Sequence, residues 1–201
     1  MYVKQTQEER RARTRSALLE SAARNLSRYG YGNLNLEQVA REAGYTRGAL
    51  YHLFANKDDL ALAVLAWVDE TWQADAARLV EKAQSPADEL LMLARAHALY
   101  CRRDTARFAM ALRLEFAGQD HPVGREIERV SETGVRRCTR LIKTGRNDGS
   151  IPPGPPARTT AKALMSALEG AVIGVAGRVP HDVVLAERAA AGVLGLGAPT
   201  G

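Results

Sequence analysis

Cysteine and long apolar stretches are scarce in this sequence, and each shortage excludes a class of protein. The chain has two cysteines in 201 residues, Cys101 and Cys138, which are too few for a disulfide framework and lack metal-finger spacing. The most apolar stretch, residues 163–177, is too short to span a bilayer and contains Glu169. The N-terminus also has no apolar core of the kind that a secretory signal needs. We therefore expect a cytoplasmic protein without a membrane partner, whose cysteines are ordinary thiols.

Motifs of the common enzyme classes are absent as well. The sequence has no phosphate-cradling glycine loop, no GxSxG elbow, no HExxH and no recognisable pair of carboxylates. His97 and Cys101 are four residues apart and could share a helix face, but a lone pair lacks the further ligands that zinc or copper needs. We expect no catalytic residue, no metal and no cofactor. An enzyme is the alternative, and it predicts a cleft with convergent ionisable residues.

Charge and helix-forming residues are what the sequence has in abundance. The net charge is +5, and residues 1–60 carry ten Lys and Arg against seven Asp and Glu, so the positive excess is denser in the N-terminal third. An acidic partner such as DNA is therefore plausible. The basic run Lys4, Arg10, Arg11, Arg13 and Arg15 could contact phosphates or simply be a solvated helix start.

The spacing of apolar residues predicts an all-α chain, because Ala, Leu, Arg and Glu are abundant and no strand pattern occurs. Residues 145–156 are rich in Gly and Pro and are predicted to form a loop. About nine helices are expected, at residues 7–29, 36–44, 46–53, 57–83, 87–103, 105–117, 123–143, 157–179 and 182–196.

The second and third predicted helices are short and joined by a tight turn. Asn35 and Thr46 are suitable N-caps, Gln38 could complete a capping-box-like arrangement with Asn35, and Gly44 permits the turn. Inward-facing apolar residues are expected on both helices, at Val39, Ala40, Ala43, Leu50 and Phe54. This pattern predicts a helix-turn-helix, although an ordinary helical hairpin in a core would also explain it.

The residue identities in this segment indicate a family as well as a helix-turn-helix. Residues 35–60, NLEQVAREAGYTRGALYHLFANKDDL, closely resemble the DNA-binding block of TetR-family repressors, and ALLESAA at residues 17–23 resembles the first helix of that family. The match departs at His52 and Leu53, since the family more often has histidine one place later. Beyond residue 68 the resemblance rests on helix number, length and the triplet LEG at residues 168–170. It implies a helix-turn-helix DNA-binding domain at residues 1–58 and a helical ligand-sensing and dimerisation domain at residues 59–201.

Residue roles follow from position in the recognition helix, Thr46–Leu53. Arg47 is the candidate for bidentate hydrogen bonding to guanine in the major groove, and Gly48 and Ala49 allow close approach, with Ala49 able to touch a thymine methyl. Phosphate contacts are expected from Thr46, Tyr51, His52 and Lys57. Core packing is the alternative for Tyr51 and His52.

The resemblance also implies a small-molecule effector and a homodimer. The candidate ligand contacts are Met92, Leu99, Tyr100, Phe108, Leu112, Glu115 and Phe116, each of which could instead be plain core. The candidate dimer contacts are Leu164, Leu168, Val172, Leu185, Ala189 and Val193, for which an intrachain core is the alternative. The sequence thus predicts a ligand-responsive repressor that binds a palindromic operator in double-stranded DNA. A non-specific DNA-coating protein is the rival hypothesis, and it predicts equal affinity for all sequences.

Overall fold

A computed structural model describes residues 6–106, 108–175 and 181–197 of the chain, the side chain of residue 175 excepted. The described residues form nine helices and contain no strand, which confirms the predicted all-α fold. In chain order the helices are α1 Gln7–Tyr29, α2 Leu36–Glu42, α3 Arg47–Leu53, α4 Lys57–Val80, α5 Pro86–Tyr100, α6 Phe108–Glu115, α7 Pro122–Asp148, α8 Ala157–Val175 and α9 His181–Leu194.

Two side-chain caps and a glycine set the starts of α2 and α3 and the turn between them. Asn35 accepts hydrogen bonds from the N–H groups of Glu37 and Gln38 at 2.9 and 3.1 Å, and Thr46 accepts from Ala49 N–H at 3.2 Å. Both predicted N-caps are therefore present. Gly44, at φ +78°, provides the left-handed residue that the turn between α2 and α3 requires.

The predicted role of Gln38 in a capping box is wrong. Its amide donates to Glu42 at 2.8 Å along α2 and does not return to Asn35. Glu42 also accepts from Asn25 at 2.7 Å, and these two hydrogen bonds, that from Gln38 first, lower the pKa of Glu42. The buried Asn25 amide on α1 thus binds the last residue of α2. Residue spacing within α2 does not reveal this contact.

The contacts of the chain divide it into two compact units, whose described residues lie within Met1–Asp69 and Asp104–Ile127 for the first and Glu70–Arg103 and Glu128–Gly201 for the second. The first unit has a core of leucines on α1 with Leu50, Phe54 and Leu60. The predicted domains, 1–58 and 59–201, follow chain order, whereas the first unit includes α6 because α6 packs against α1. The domain boundary at residue 58 stays a prediction.

The core of the second unit is formed by α5, α8 and α9 together with the part of α7 beyond residue 127. Leu90, Leu93, Ile142, Leu164 and Leu194 are all buried in it. Among the described residues, no helix is long and apolar enough to cross a membrane.

Helix α7 continues through Gly145, where the sequence predicts a loop. A Cβ at this glycine would lie 2.6 Å from Ile151 Cδ1, so the missing side chain makes room for the buried isoleucine. Ile151 N–H also donates to Gly145 C=O at 2.8 Å. The glycine therefore serves close packing inside the helix, and the loop begins only after Asp148.

Asp182, at which the sequence predicts the start of the ninth helix, lies in the first turn of α9, which begins one residue earlier. It is buried, and Arg102 donates to both of its carboxylate oxygens at 2.8 and 2.9 Å. The hydrogen bonds from Arg102 lower the pKa of Asp182. This ion pair joins the segment after α5 to the start of α9.

Candidate nucleic-acid interface

Helix α1 holds α2 in place through two buried polar residues. Ser21 donates its hydroxyl to Val39 C=O at 3.0 Å, and Asn25 donates to Glu42 and to Ser21 C=O. The apolar residues Val39 and Ala40 of α2 are buried beside them, as predicted, while Ala43 is only half-buried. The short helix α2 is thus oriented by contacts with α1 in addition to its own cap.

Helix α3 has one buried side and one open side. Leu50 is fully buried and Phe54, which follows the helix, is almost so. The open side carries most of the predicted DNA contacts, since Thr46, Arg47, Gly48, Tyr51 and His52 are exposed. Tyr51 is 42% exposed, and its contact with a phosphate stays a prediction. A seven-residue helix with this exposed row has the dimensions that the major groove admits.

Arg47 has two partners in the protein. Its Nη1 donates to Glu37 Oε1 on α2 in a short hydrogen bond, and its guanidinium lies over the Tyr51 ring, 5.3 Å from the centroid. The negative charge of Glu37 raises the pKa of Arg47, so the side chain is fully ionised at neutral pH. Both residues line a shallow cleft of about 420 Å³ together with residues 32–36 and Tyr51.

Lys57 is half-buried at the start of α4. Its ammonium group donates to Gly32 C=O at 2.9 Å and lies 4.3 Å from the centroid of the Tyr31 ring. The predicted phosphate contact is therefore next to the connection between α1 and α2. Those intrachain contacts fix the position of a positive charge at a helix N-terminus.

Around Tyr31 the first unit contains a set of contacts that the sequence does not predict, which we call the Tyr31 cluster; it consists of Tyr31, Asp58, Glu115, Phe116 and His121. Tyr31 donates its hydroxyl to Asp58 in a short hydrogen bond, and burial and this bond raise the tyrosine pKa. The rings of Phe116 and His121 stack at 4.4 Å between centroids, and both contact Tyr31. The cluster attaches the connection between α1 and α2 to α4 and α6.

Glu115 links α6 to the backbone of this connection. Its two carboxylate oxygens accept hydrogen bonds from the backbone N–H groups of Tyr31 at 2.7 Å and Gly32 at 2.6 Å. The connection needs the glycine at position 30, because a Cβ there would lie 2.9 Å from Glu115 Oε2 and the residue has φ +73°. Glu115 thus fixes the backbone just before the helix-turn-helix.

Residues 18–64, which contain this helix-turn-helix, match the family model described as "Bacterial regulatory proteins, tetR family". Over these residues the chain is similar to the TetR family. Its similarity to the A-factor receptor protein of Streptomyces griseus extends further, at 26% identity over 164 residues, or 80% of this chain and 54% of that protein. The chain therefore corresponds to about half the length of this relative.

Solved structures of low sequence identity share the fold of this chain. A TetR-family transcriptional regulator from Streptomyces coelicolor superposes with a TM-score of 0.73 at 22% identity, covering 92% of this chain and 94% of that one. AibR in complex with isovaleryl coenzyme A and operator DNA superposes with a TM-score of 0.70 at 19% identity, covering 90% and 98%. Likeness at this identity shows the fold.

The predicted ligand contacts of this chain have mixed surroundings. Phe108 and Leu112 are fully buried in the first unit, and their contact with a ligand stays a prediction. Glu115 has both carboxylate oxygens engaged in the Tyr31 cluster, to which Phe116 also belongs. The other three predicted contacts belong to the second unit: Met92 and Leu99 are half-buried on α5, and Tyr100 is buried.

Around Tyr100 the second unit has an aromatic group. Tyr100 shares a 2.6 Å hydrogen bond with Thr71, and Trp72 packs edge-on against Tyr100 and His97. Burial lowers the pKa of His97, although the charge of Glu169 opposes the shift, so the imidazole is neutral at pH 7. Cys101 Sγ lies 3.8 Å from His97 Nε2, but the described part of the chain contains no group of three residues suited to hold a metal ion.

Four of the six predicted dimer contacts pack inside the chain. Leu164, Leu168 and Val172 are buried within the chain, and the two leucines belong to the core of the second unit. Val193 also packs against that core. The apolar stripe of each helix serves the intrachain core, so the surface left for a partner is different. Leu185 is 41% exposed, Ile173 61% and Val184 also more than half, while Ala189 is half-buried.

Sequence reasoning missed the polar contacts that build the site. Ser21 and Asn25 stand among apolar residues of α1, and a buried polar residue there is the one signal that could have indicated a bond to another helix. Glu37 and Arg47 are ten residues apart, and Glu115 is more than eighty from Tyr31 and Gly32. No short-range spacing rule connects residues at these separations.

Proposed function

We propose that the chain is a ligand-responsive repressor that binds a palindromic operator as a homodimer, with α3 in the major groove of each half-site. The observation that carries the proposal is the exposed row on α3, opposite the buried Leu50 and beside a half-buried Lys57 at a helix N-terminus. Two recognition helices in successive major grooves require half-site centres about 34–36 Å apart.

Within each half-site the residue roles follow from chemistry. Arg47 offers its guanidinium to the O6 and N7 acceptors of a guanine, and Ala49 can contact a thymine methyl beside it. Gly48 has no side chain to hold the helix away from the base edges. Thr46, Tyr51, His52 and Lys57 donate to phosphates and position the helix without choosing the sequence.

The effector belongs to the second unit in this proposal. Met92, Leu99 and Tyr100, with Trp72 and His97 near Tyr100, present apolar and aromatic surface, and a neutral imidazole brings no charge. An uncharged, mostly apolar effector suits these groups. AibR, which shares the fold, binds isovaleryl coenzyme A and operator DNA. The AibR complex supports the proposal that one fold can bind both a small molecule and operator DNA.

Binding of the effector must weaken binding of the operator, and the reverse must also hold. The effector releases the operator only if it binds better to the arrangement that fits DNA poorly, and operator DNA must then reduce effector affinity by the same factor. The homodimer is supported by the exposed apolar residues of α8 and α9.

Selection of bound duplexes from a random DNA pool tests the proposal. Recovery of an inverted repeat supports a dimer that binds specifically, and its half-site spacing checks the predicted distance. Equal recovery of all sequences, with steep salt dependence, would identify a non-specific DNA-coating protein.

Arg47→Ala, measured on the recovered operator, tests the base contact. Loss of a bidentate guanine contact should cost about 1–3 kcal/mol of binding free energy and relax the preference at one position in each half-site. Arg24→Ala is the matched control, because Arg24 forms an ion pair with Glu20 on α1 and has no predicted base contact. A preference that survives Arg47→Ala at every position would contradict the role of Arg47.

A further inference from the structure

A carboxylate stands on the surface that carries the predicted DNA contacts. Glu37 lies in the first turn of α2, with 58% of its side chain exposed, and lines the same cleft as Arg47 and Tyr51. Because DNA is a dense polyanion, a negative side chain here opposes binding unless it serves the contact beside it. Its position therefore calls for a specific role.

The geometry of the ion pair indicates that role. The bond to Glu37 uses Arg47 Nη1, whereas a guanidinium has five N–H donors. The remaining donors can approach a guanine while Glu37 and the Tyr51 ring hold the side chain from behind. Both partners are more than half exposed, so the pair is weak by itself and does not lock the arginine away from DNA.

We propose that Glu37 is a positioning residue for sequence specificity: it orients Arg47 towards a guanine and disfavours the use of Arg47 as a phosphate contact. This inference rests on the proposed function. On random DNA, Arg47 can contact a phosphate only by exchanging the Glu37 carboxylate for the phosphate as its anionic partner. The negative charge of Glu37 then stays close to the DNA backbone without a partner. On the operator, the bidentate guanine contact is made with the ion pair still in place. Glu37 thus lowers non-specific affinity more than operator affinity.

Glu37→Gln tests the inference, because it removes the charge and keeps the shape. Binding to the selected operator and to a random duplex of equal length is measured by fluorescence anisotropy at several salt concentrations. We expect affinity for random DNA to rise about two- to fivefold, the size of effect that exposed ion pairs give. The slope of log K against log salt on random DNA should steepen by about 0.9, for one added phosphate contact. Operator affinity should change less, so the ratio of the two affinities falls.

Glu20→Gln is the matched control. Glu20 is 55% exposed and pairs with Arg24 at 2.6 Å, so this variant loses the same charge from a similar ion pair without freeing Arg47. It should leave the ratio of operator to random affinity unchanged. A fall in the ratio equal to that of Glu37→Gln would mean that net charge alone is responsible and would overturn the inference.

The double variant Glu37→Gln, Arg47→Ala shows whether Glu37 acts through Arg47. We expect the effect of Glu37→Gln on the ratio to vanish when Arg47 is absent. Persistence of the effect, or a changed preference at a cytosine, would instead mean that Glu37 contacts DNA itself, since glutamate can accept from cytosine N4. An unmutated protein without any sequence preference would refute the proposed function, whereas a clear preference that Glu37→Gln leaves intact would refute this inference alone.

Discussion

Lys57 combines a structural contact with a predicted DNA contact, and the two can be separated by salt dependence. Its ammonium group donates to Gly32 C=O at 2.9 Å, which leaves further donors for a phosphate. Lys57→Ala should weaken binding to operator and random DNA by a similar factor, because a phosphate contact carries no sequence information. The slope of log K against log salt should fall in magnitude by about 0.9.

Lys82→Ala provides the comparison for Lys57, since Lys82 is exposed in the second unit and has no predicted DNA contact. It should leave the salt slope unchanged. If Lys57→Ala weakens binding with the slope intact, the lysine acts only by holding the connection between α1 and α2.

Asp182 makes the stability of the chain depend on pH in a predictable direction. Its pKa is lowered in the folded chain, chiefly by hydrogen bonds from Arg102, so the ionised carboxylate stabilises the fold above the ordinary aspartate pKa of about 3.9. This contribution is lost as the pH falls through the lower folded pKa. Asp182→Asn should reduce the free energy of unfolding at pH 7 by about 1.5–3 kcal/mol, the range for hydrogen bonds to charged groups.

Urea unfolding of the parent and Asp182→Asn chains between pH 7 and pH 3 measures this effect. The difference between them should be constant above about pH 5 and shrink below about pH 4, where Asp182 of the unfolded parent chain begins to take up a proton. A difference that does not change with pH would mean that the aspartate charge is not what stabilises the start of α9.

The connection between α1 and α2 depends on a glycine whose importance can be measured. Gly30→Ala places a side chain at φ +73° and pushes it against Glu115, which holds the N–H groups of Tyr31 and Gly32. Gly118→Ala is the matched control, because Gly118 has φ +74° and nothing within 4 Å of an added Cβ. Backbone strain should cost Gly118→Ala about 1–2 kcal/mol. Gly30→Ala should cost about 1–3 kcal/mol more, from disturbed hydrogen bonds to a charged group.

Hydrogen exchange distinguishes the two causes. The amides of Tyr31 and Gly32 should lose protection in Gly30→Ala and keep it in Gly118→Ala, since only the first glycine lies against Glu115. If Gly30→Ala and Gly118→Ala lose the same stability and both amides stay protected, the contact with Glu115 is not the reason why position 30 needs a glycine. The outcome decides whether α6 restrains the start of the helix-turn-helix.

The exposed apolar residues of α8 and α9 can be tested for their part in the proposed homodimer. Leu185 is 41% exposed and lies on the helix that also exposes Val184, so it can contribute to a dimer without disturbing the intrachain core. Leu185→Glu should convert the proposed dimer to a monomer, because burying an unpaired charge at an interface is strongly unfavourable. Operator affinity should fall with it. Analytical ultracentrifugation and operator titration measure the two effects.

Leu114→Glu is the control for this substitution. Leu114 is 80% exposed on α6 and is absent from the proposed interface, so its variant should remain as dimeric as the parent. Dimers that persist in Leu185→Glu would place the interface on another surface.

Local chemistry in the sequence was enough to predict the all-α fold and the helix-turn-helix. The caps Asn35 and Thr46, the left-handed Gly44 and the spacing of Val39, Ala40 and Leu50 act within a few residues, so they can be recognised along the chain. The exposed position of Arg47 and Tyr51 also follows from the spacing of buried residues in α3.

Only the tertiary structure decided which partners the remaining side chains have. An apolar stripe on α8 does not say whether it meets its own chain or another, and the structure buries Leu164 and Leu168 in the intrachain core. The pairing of Glu37 with Arg47, of Asp182 with Arg102 and of Glu115 with the backbone before α2 likewise depends on how helices pack. The physical reason is distance: caps and turns are determined by neighbours along the chain, whereas these contacts join residues that only folding brings together.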